Sequence, residues 1–217
     1  MKKSVDYRNI ARKNLKGNWG SAILVCLIFI LISTTVGCIP VVGTIITLLL
    51  TGQLIVGTII YFVKLNNKEE AKFSSMFEGF EKNLLNNCFT YLLEMLYVFL
   101  WTLLFIIPGI IKSYSYAMTM FLKAKNPQLE SMEAITMSRE IMNGKKWSLF
   151  CLHFSFIGWI LLSFITFGVG FVFLIPYMQA SVTEFYEDAY IQYQQFKQAD
   201  YSTTEVIISE DETSQNA

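Results

Sequence analysis

The chain has 217 residues, of which 16% are charged, and its 17 Lys and Arg balance 17 Asp and Glu to a formal net charge of zero. Ordinary soluble domains are about a quarter charged, and zero net charge argues against a nucleic-acid binder held by a basic surface. The charges are missing in blocks, with none in residues 17–63, 95–111 or 147–183, which excludes both a soluble globule and a disordered chain.

The chain opens on a basic amphipathic stretch. Tyr7, Ile10, Ala11 and Leu15 follow 3, 4 helical spacing, and Arg8, Arg12, Lys13 and Lys16 take the other positions. Crossing a hydrocarbon core of about 30 Å takes about 20 helical residues, so the first uncharged run accommodates two passages. They are expected near 19–36, with Trp19 at the entrance, and 43–63, separated by a turn around Pro40. A second amphipathic stretch follows with Phe73, Met76, Phe77, Phe80 and Leu84. A third passage is expected near 88–107 and contains Glu94. Pro108 and Gly109 then mark a turn, and a short fourth segment near 109–123 contains Lys112. Leu129, Met132, Ile135, Arg139 and Met142 give the third amphipathic helix. Trp147 opens a fifth passage near 147–165, Gly168 and Gly170 mark its turn, and a sixth near 171–186 carries Pro176.

Basic residues set the orientation, because Lys and Arg of short loops stay cytoplasmic. Six lie in the N-terminal segment, four in residues 64–82 and five in residues 123–146, while the 37–43 and 166–170 turns have none. An even number of passages must separate the three basic segments. Six crossings satisfy this, with Lys112 about one helical turn below the outer turn and snorkelling to the outer interface; a re-entrant segment over 109–122 satisfies the same parity. A short internal repeat supports the hairpins: Arg12, Gly17 and Trp19 parallel Arg139, Gly144 and Trp147, each Gly ending a surface helix and each indole anchoring at the interface. The fold class is therefore all-α: a polytopic transmembrane bundle of about six spans in three hairpins, each preceded by an amphipathic interfacial helix, over residues 1–190. Residues 191–217 form an acidic cytoplasmic tail. Tyr186, Tyr190, Tyr193 and Phe196 make a helical stripe at its start, expected to pack on the basic surface helices, and disorder is expected after about residue 201.

The segments WTLLFIIPGIIK from Trp101, GKKWSLF from Gly144 and FSFIGWILL from Phe154, with Pro176-Tyr177 ahead of Phe185-Tyr186, resemble the family called Domain of Unknown Function 975. The resemblance covers about residues 7–190. It implies a multi-span bacterial membrane protein, typical of Gram-positive bacteria, and transfers no activity and no catalytic residue.

Glu94 and His153 are the candidate intramembrane polar groups, with Lys112 a third near the opposite face. A charge at the bilayer centre costs about 2.5–3.5 kcal/mol on insertion scales. Each of the two lies six residues into its passage, or about 9 Å at 1.5 Å per residue, so the pair shares a depth and is a candidate proton or ion site. The alternative is that Glu94 marks the start of a shorter span and His153 bonds a neighbouring carbonyl. Cys26, Cys38, Cys88 and Cys151 lack metal-ligand spacing, so no metal and no cofactor are expected. Gly43, Thr47 and Thr51 form a small-residue face suited to helix packing within the chain or to a homo-oligomer. No catalytic motif occurs in the passages. The expectation is a non-enzymatic accessory, assembly or regulatory component, multi-pass in the cell membrane with both termini cytoplasmic. Its partners would be the lipid bilayer and a membrane protein or second copy, with no nucleic acid. The runner-up is a small transporter or channel-like subunit using Glu94, His153, Thr102 and Tyr91; third is a lipid-acting enzyme.

Overall fold

A computed structural model describes residues 2–37, 42–81 and 83–215, and all regular structure among them is helical. Pro40 and Cys38 lie outside the described residues. The helices are α1 (Ser4–Leu15), α2 (Trp19–Gly37), α3 (Val42–Asn66), α4 (Glu78–Glu81), α5 (Leu84–Leu104), α6 (Ile106–Tyr116), α7 (Thr119–Lys125), α8 (Ser131–Ile141), α9 (Lys146–Phe154), α10 (Ile157–Ile165) and α11 (Val169–Gln215), with a 3-10 turn Phe73–Phe77 ahead of α4. Consecutive apolar helices pack in pairs: α2 with α3, α5 with α6, and α10 with α11.

Burial divides each pair along its length. Near the surface helices the side chains are buried, as with Ala22 and Val25 of α2, Tyr61 and Phe62 of α3, Leu149 and Leu152 of α9, and Ala180 and Phe185 of α11. Farther along, Leu31, Leu103, Ile106, Ile107, Ile165 and Val169 are exposed, and Phe167 is 100% exposed at a turn. The molecule is thus a packed base from which three apolar arms extend.

Among the described residues, Leu84–Leu104 and Lys146–Ile165 are long and apolar enough to cross a membrane. Ser4–Leu15 and Trp19–Thr34 add a third if taken together, although they meet at 103°. Length and apolarity therefore identify two or three passages where the charge pattern predicts six. The bend lays α1 across the base. There Tyr7 donates to Asp188 Oδ2 at 2.6 Å, Arg8 Nη1 to the Ser155 carbonyl at 3.2 Å and Asn14 to Asn66 at 3.2 Å, tying α1 to α11, the end of α9 and α3. Gly17 and Gly144, the repeat glycines, have φ of +93° and +75°, a left-handed conformation that lets the surface helix stop and the chain turn into the next apolar helix.

Several expected boundaries move. The middle turn is not at Pro108 and Gly109: the chain reverses at Phe105, whose φ of −156° and ψ of 138° separate α5 from α6. Pro108 sits in the first turn of α6, where its missing N–H has no intrahelical duty. Gly109 sits against Thr102, where an added Cβ would lie 2.7 Å from the Thr102 Cα, and so permits the close approach of the two helices. The segment 109–123 is not one helix but α6 and α7, parted at Ala117 and Met118. The 147–165 passage is likewise divided, at Ser155 and Phe156, into α9 and α10. Phe167 (φ +52°) and Gly168 (φ +87°) make the last turn. Gly170 belongs to the first turn of α11, its N–H donating to Thr166 Oγ1 at 3.1 Å. Instead of ending in disorder after residue 201, α11 is helical to Gln215. A helix already nucleated extends at little further free-energy cost per residue.

Candidate functional site

Four elements and one helix break enclose a cavity of about 340 Å³ where the three arms diverge from the base. Each helix contributes one face at helical spacing: Cys26, Phe29 and Ile30 from α2; Ile55, Thr58 and Ile59 from α3; Tyr91 and Glu94 from α5; Ile175, Gln179, Val182, Thr183 and Tyr186 from α11. Ala117 and Met120, at the break between α6 and α7, complete it. The wall is mainly apolar. Thr58 turns its hydroxyl back to the Leu54 carbonyl at 2.7 Å and is thereby satisfied.

Glu94 is the charged group of this wall. Its Oε2 is closed to solvent and has no hydrogen-bond partner, and Tyr91 and Tyr186 line the same wall. A carboxylate shut into apolar surroundings costs free energy unless it is paired, hydrogen-bonded or protonated. The site therefore presents a carboxyl in want of a hydrogen-bond partner, in a wall that also holds the phenols of Tyr91 and Tyr186 and the amide of Gln179.

The structure does not bring His153 to Glu94. The helix α6 packs against both α5 and α9 and stands between them. The His153 ring lies against Tyr114, with centroids 5.9 Å apart, and its Nδ1 is buried without a hydrogen-bond partner. Glu94 is ten residues into α5, about 15 Å along that helix, and His153 is seven residues into α9, about 10 Å along its own.

Lys112 Nζ lies 4.4 Å from the centre of the Trp101 ring, a cation–π contact near the Phe105 end of the α5–α6 hairpin. Thr102 bonds its own turn at the Val98 carbonyl and takes no part in the cavity, whereas Tyr91 does. Trp19 begins α2 and packs on Phe173 at 6.3 Å; Trp147 is the second residue of α9, exposed and stacked on Phe150 at 5.2 Å. Gln179, Thr183 and Tyr186 are site residues the sequence reading passes over. Their i, i+4, i+7 spacing on the last apolar helix is the available signal. Cys26 is buried in the cavity wall, Cys88 and Cys151 are also free, and no metal-holding group of three His, Cys, Asp or Glu occurs among the described residues.

No curated protein and no solved structure is matched by the chain. A family model described as "Protein of unknown function (DUF975)" matches residues 1–115 and 103–191. Those matches run from α1 through the cavity-lining face of α11, so the base, the arms and the cavity all lie within them, and the chain belongs to the DUF975 family.

Proposed function

We propose that this protein is a non-enzymatic, multi-pass component of the bacterial cytoplasmic membrane that holds an amphipathic molecule between its hairpins, in an accessory or regulatory role. The carrying observation is the unpartnered Glu94 oxygen in the apolar wall of a cavity of about 340 Å³. Such a site suits a molecule with an apolar body and one donor group, an ammonium or a hydroxyl. The membrane setting draws support from the arms, whose contiguous exposed Leu, Ile and Phe side chains are unlike the surface of a soluble monomer. In this reading three hairpins make six passages, with α6 and α7 together forming the fourth. The basic segments and both termini face the cytoplasm.

The test is extraction of the full chain in mild detergent and identification by mass spectrometry of what it retains. Wild-type protein is expected to carry a defined amphiphile, and Glu94→Gln to lose most of it while keeping its elution profile. Equal retention by both proteins overturns the reading. The transport alternative uses the same carboxyl and would instead appear as ion or proton flux in proteoliposomes that Glu94→Gln abolishes.

A further inference from the structure

A second cavity, of about 270 Å³, lies apart from the first, between the foot of α2 and the α10–α11 arm. Its walls are Trp19, Trp159, Leu162, Phe173 and Tyr177, and it reaches Gly170 near the last turn. From Tyr177 to Gly170 it follows seven residues of α11, about 10 Å at 1.5 Å per residue. Arg12 stands at its foot, on the helix that the 103° bend lays across the base. The guanidinium lies 5.7 Å from the centre of the Tyr177 ring, and no carboxylate pairs with it among the described residues. The contrast with its neighbours is informative. Arg8, one turn earlier, is held by the Ser155 carbonyl, and Lys2 by Glu184 at 3.3 Å. Arg12 keeps its donors available at the mouth of an apolar slot.

We propose that this slot binds one acyl chain of an anionic phospholipid, with the lipid phosphate on Arg12. A planar guanidinium pairs bidentately with phosphate oxygens, and its position over Tyr177 holds it at the end of the slot. The indoles of Trp19 and Trp159 suit the level where chain meets headgroup. The charge complementarity fixes the lipid class: a zwitterionic headgroup brings an ammonium that Arg12 repels. The proposal rests on the membrane setting proposed above and is independent of the Glu94 cavity.

The experiment places full-length protein in nanodiscs of equal phosphatidylglycerol and phosphatidylcholine and counts the lipids that stay bound on release, by native mass spectrometry. Wild-type protein is expected to retain phosphatidylglycerol over phosphatidylcholine. Arg12→Gln is expected to reduce that preference well beyond the roughly fivefold that about 1 kcal/mol of surface attraction per basic residue gives. Leu162→Trp, which fills the slot and leaves Arg12, is expected to reduce it as well, and Lys13→Gln on the exposed face to change it by no more than that surface term, roughly fivefold. Equal effects of Arg12→Gln and Lys13→Gln would mean diffuse attraction to a basic surface and overturn the proposal. So would retention that survives Leu162→Trp, or displacement of the lipid by millimolar inorganic phosphate. A chain that fails to enter nanodiscs at all contradicts the membrane setting instead, so the two failures are distinct.

Discussion

Two side chains from the surface helices complete the breaks in the apolar segments. Where α6 gives way to α7, Ser138 of α8 accepts the freed Met118 N–H at 3.2 Å and donates to the Ser115 carbonyl at 3.0 Å. Where α9 gives way to α10, Arg8 of α1 reaches the Ser155 carbonyl and lies over Phe156. In apolar surroundings an unsatisfied backbone group is too costly to leave, so the breaks exist because α1 and α8 are there to satisfy them. Ser138→Ala removes both bonds from a fully buried site and is expected to destabilise by about 1–3 kcal/mol. Ser113→Ala, which loses only a bond to its own helical turn, should be near neutral. Thermal unfolding of both variants in one detergent measures the difference. These breaks were not legible in the sequence, since Ala117-Met118 and Ser155-Phe156 contain neither Gly nor Pro and their stabilising partners lie 20 and 147 residues away.

At the scale of the element, the part of α11 beyond the apolar arm is fixed to the base by its acidic residues. Glu184 pairs with Lys2, Asp188 accepts from Tyr7, and Glu187 pairs with Lys125 of α7 at 2.7 Å. Burial pushes the Glu187 carboxyl above its ordinary value, and the Lys125 hydrogen bond offsets this only in part. The folded chain therefore holds this proton to higher pH than the unfolded chain, and stability falls as pH rises from the ordinary carboxylate range through the raised value. Comparing apparent Tm against pH for wild type and Glu187→Gln should show this downward slope in wild type and its loss in the variant. A difference curve that stays flat, or rises with pH, contradicts the assignment. The stripe Tyr186, Tyr190, Tyr193, Phe196 made this helix legible from spacing alone; of the four, Tyr193 reaches the surface helix α8 by donating to Glu140 Oε2 at 2.6 Å, Tyr186 and Tyr190 pack on Phe121 of α7 instead, and Phe196 is exposed. The middle hairpin was less legible. Pro108 reads as a breaker by residue type, yet a proline in a first helical turn breaks nothing, and the real reversal at Phe105 carries no composition signal.

The whole molecule joins a close-packed base to three apolar arms. The uncharged blocks and helical periodicities made the arms and surface helices visible in the sequence. The cavity was not visible, because it is assembled from faces of α2, α3, α5 and α11, and their relative rotation is set by packing rather than by any one segment. Glu94 stood out as a charge in apolar sequence; its neighbours Gln179 and Thr183 did not, being ordinary polar residues in a helix. In the proposed topology all three hairpins enter the membrane from one side. Single cysteines at Asn67, Asn126 and Gln195, in a chain whose four native cysteines are replaced by Ser or Ala, test it with a membrane-impermeant maleimide. Labelling is compared between spheroplasts and inverted membrane vesicles. All three positions are predicted to label only in inverted vesicles. Labelling of positions 67 and 126 from opposite sides would contradict that topology.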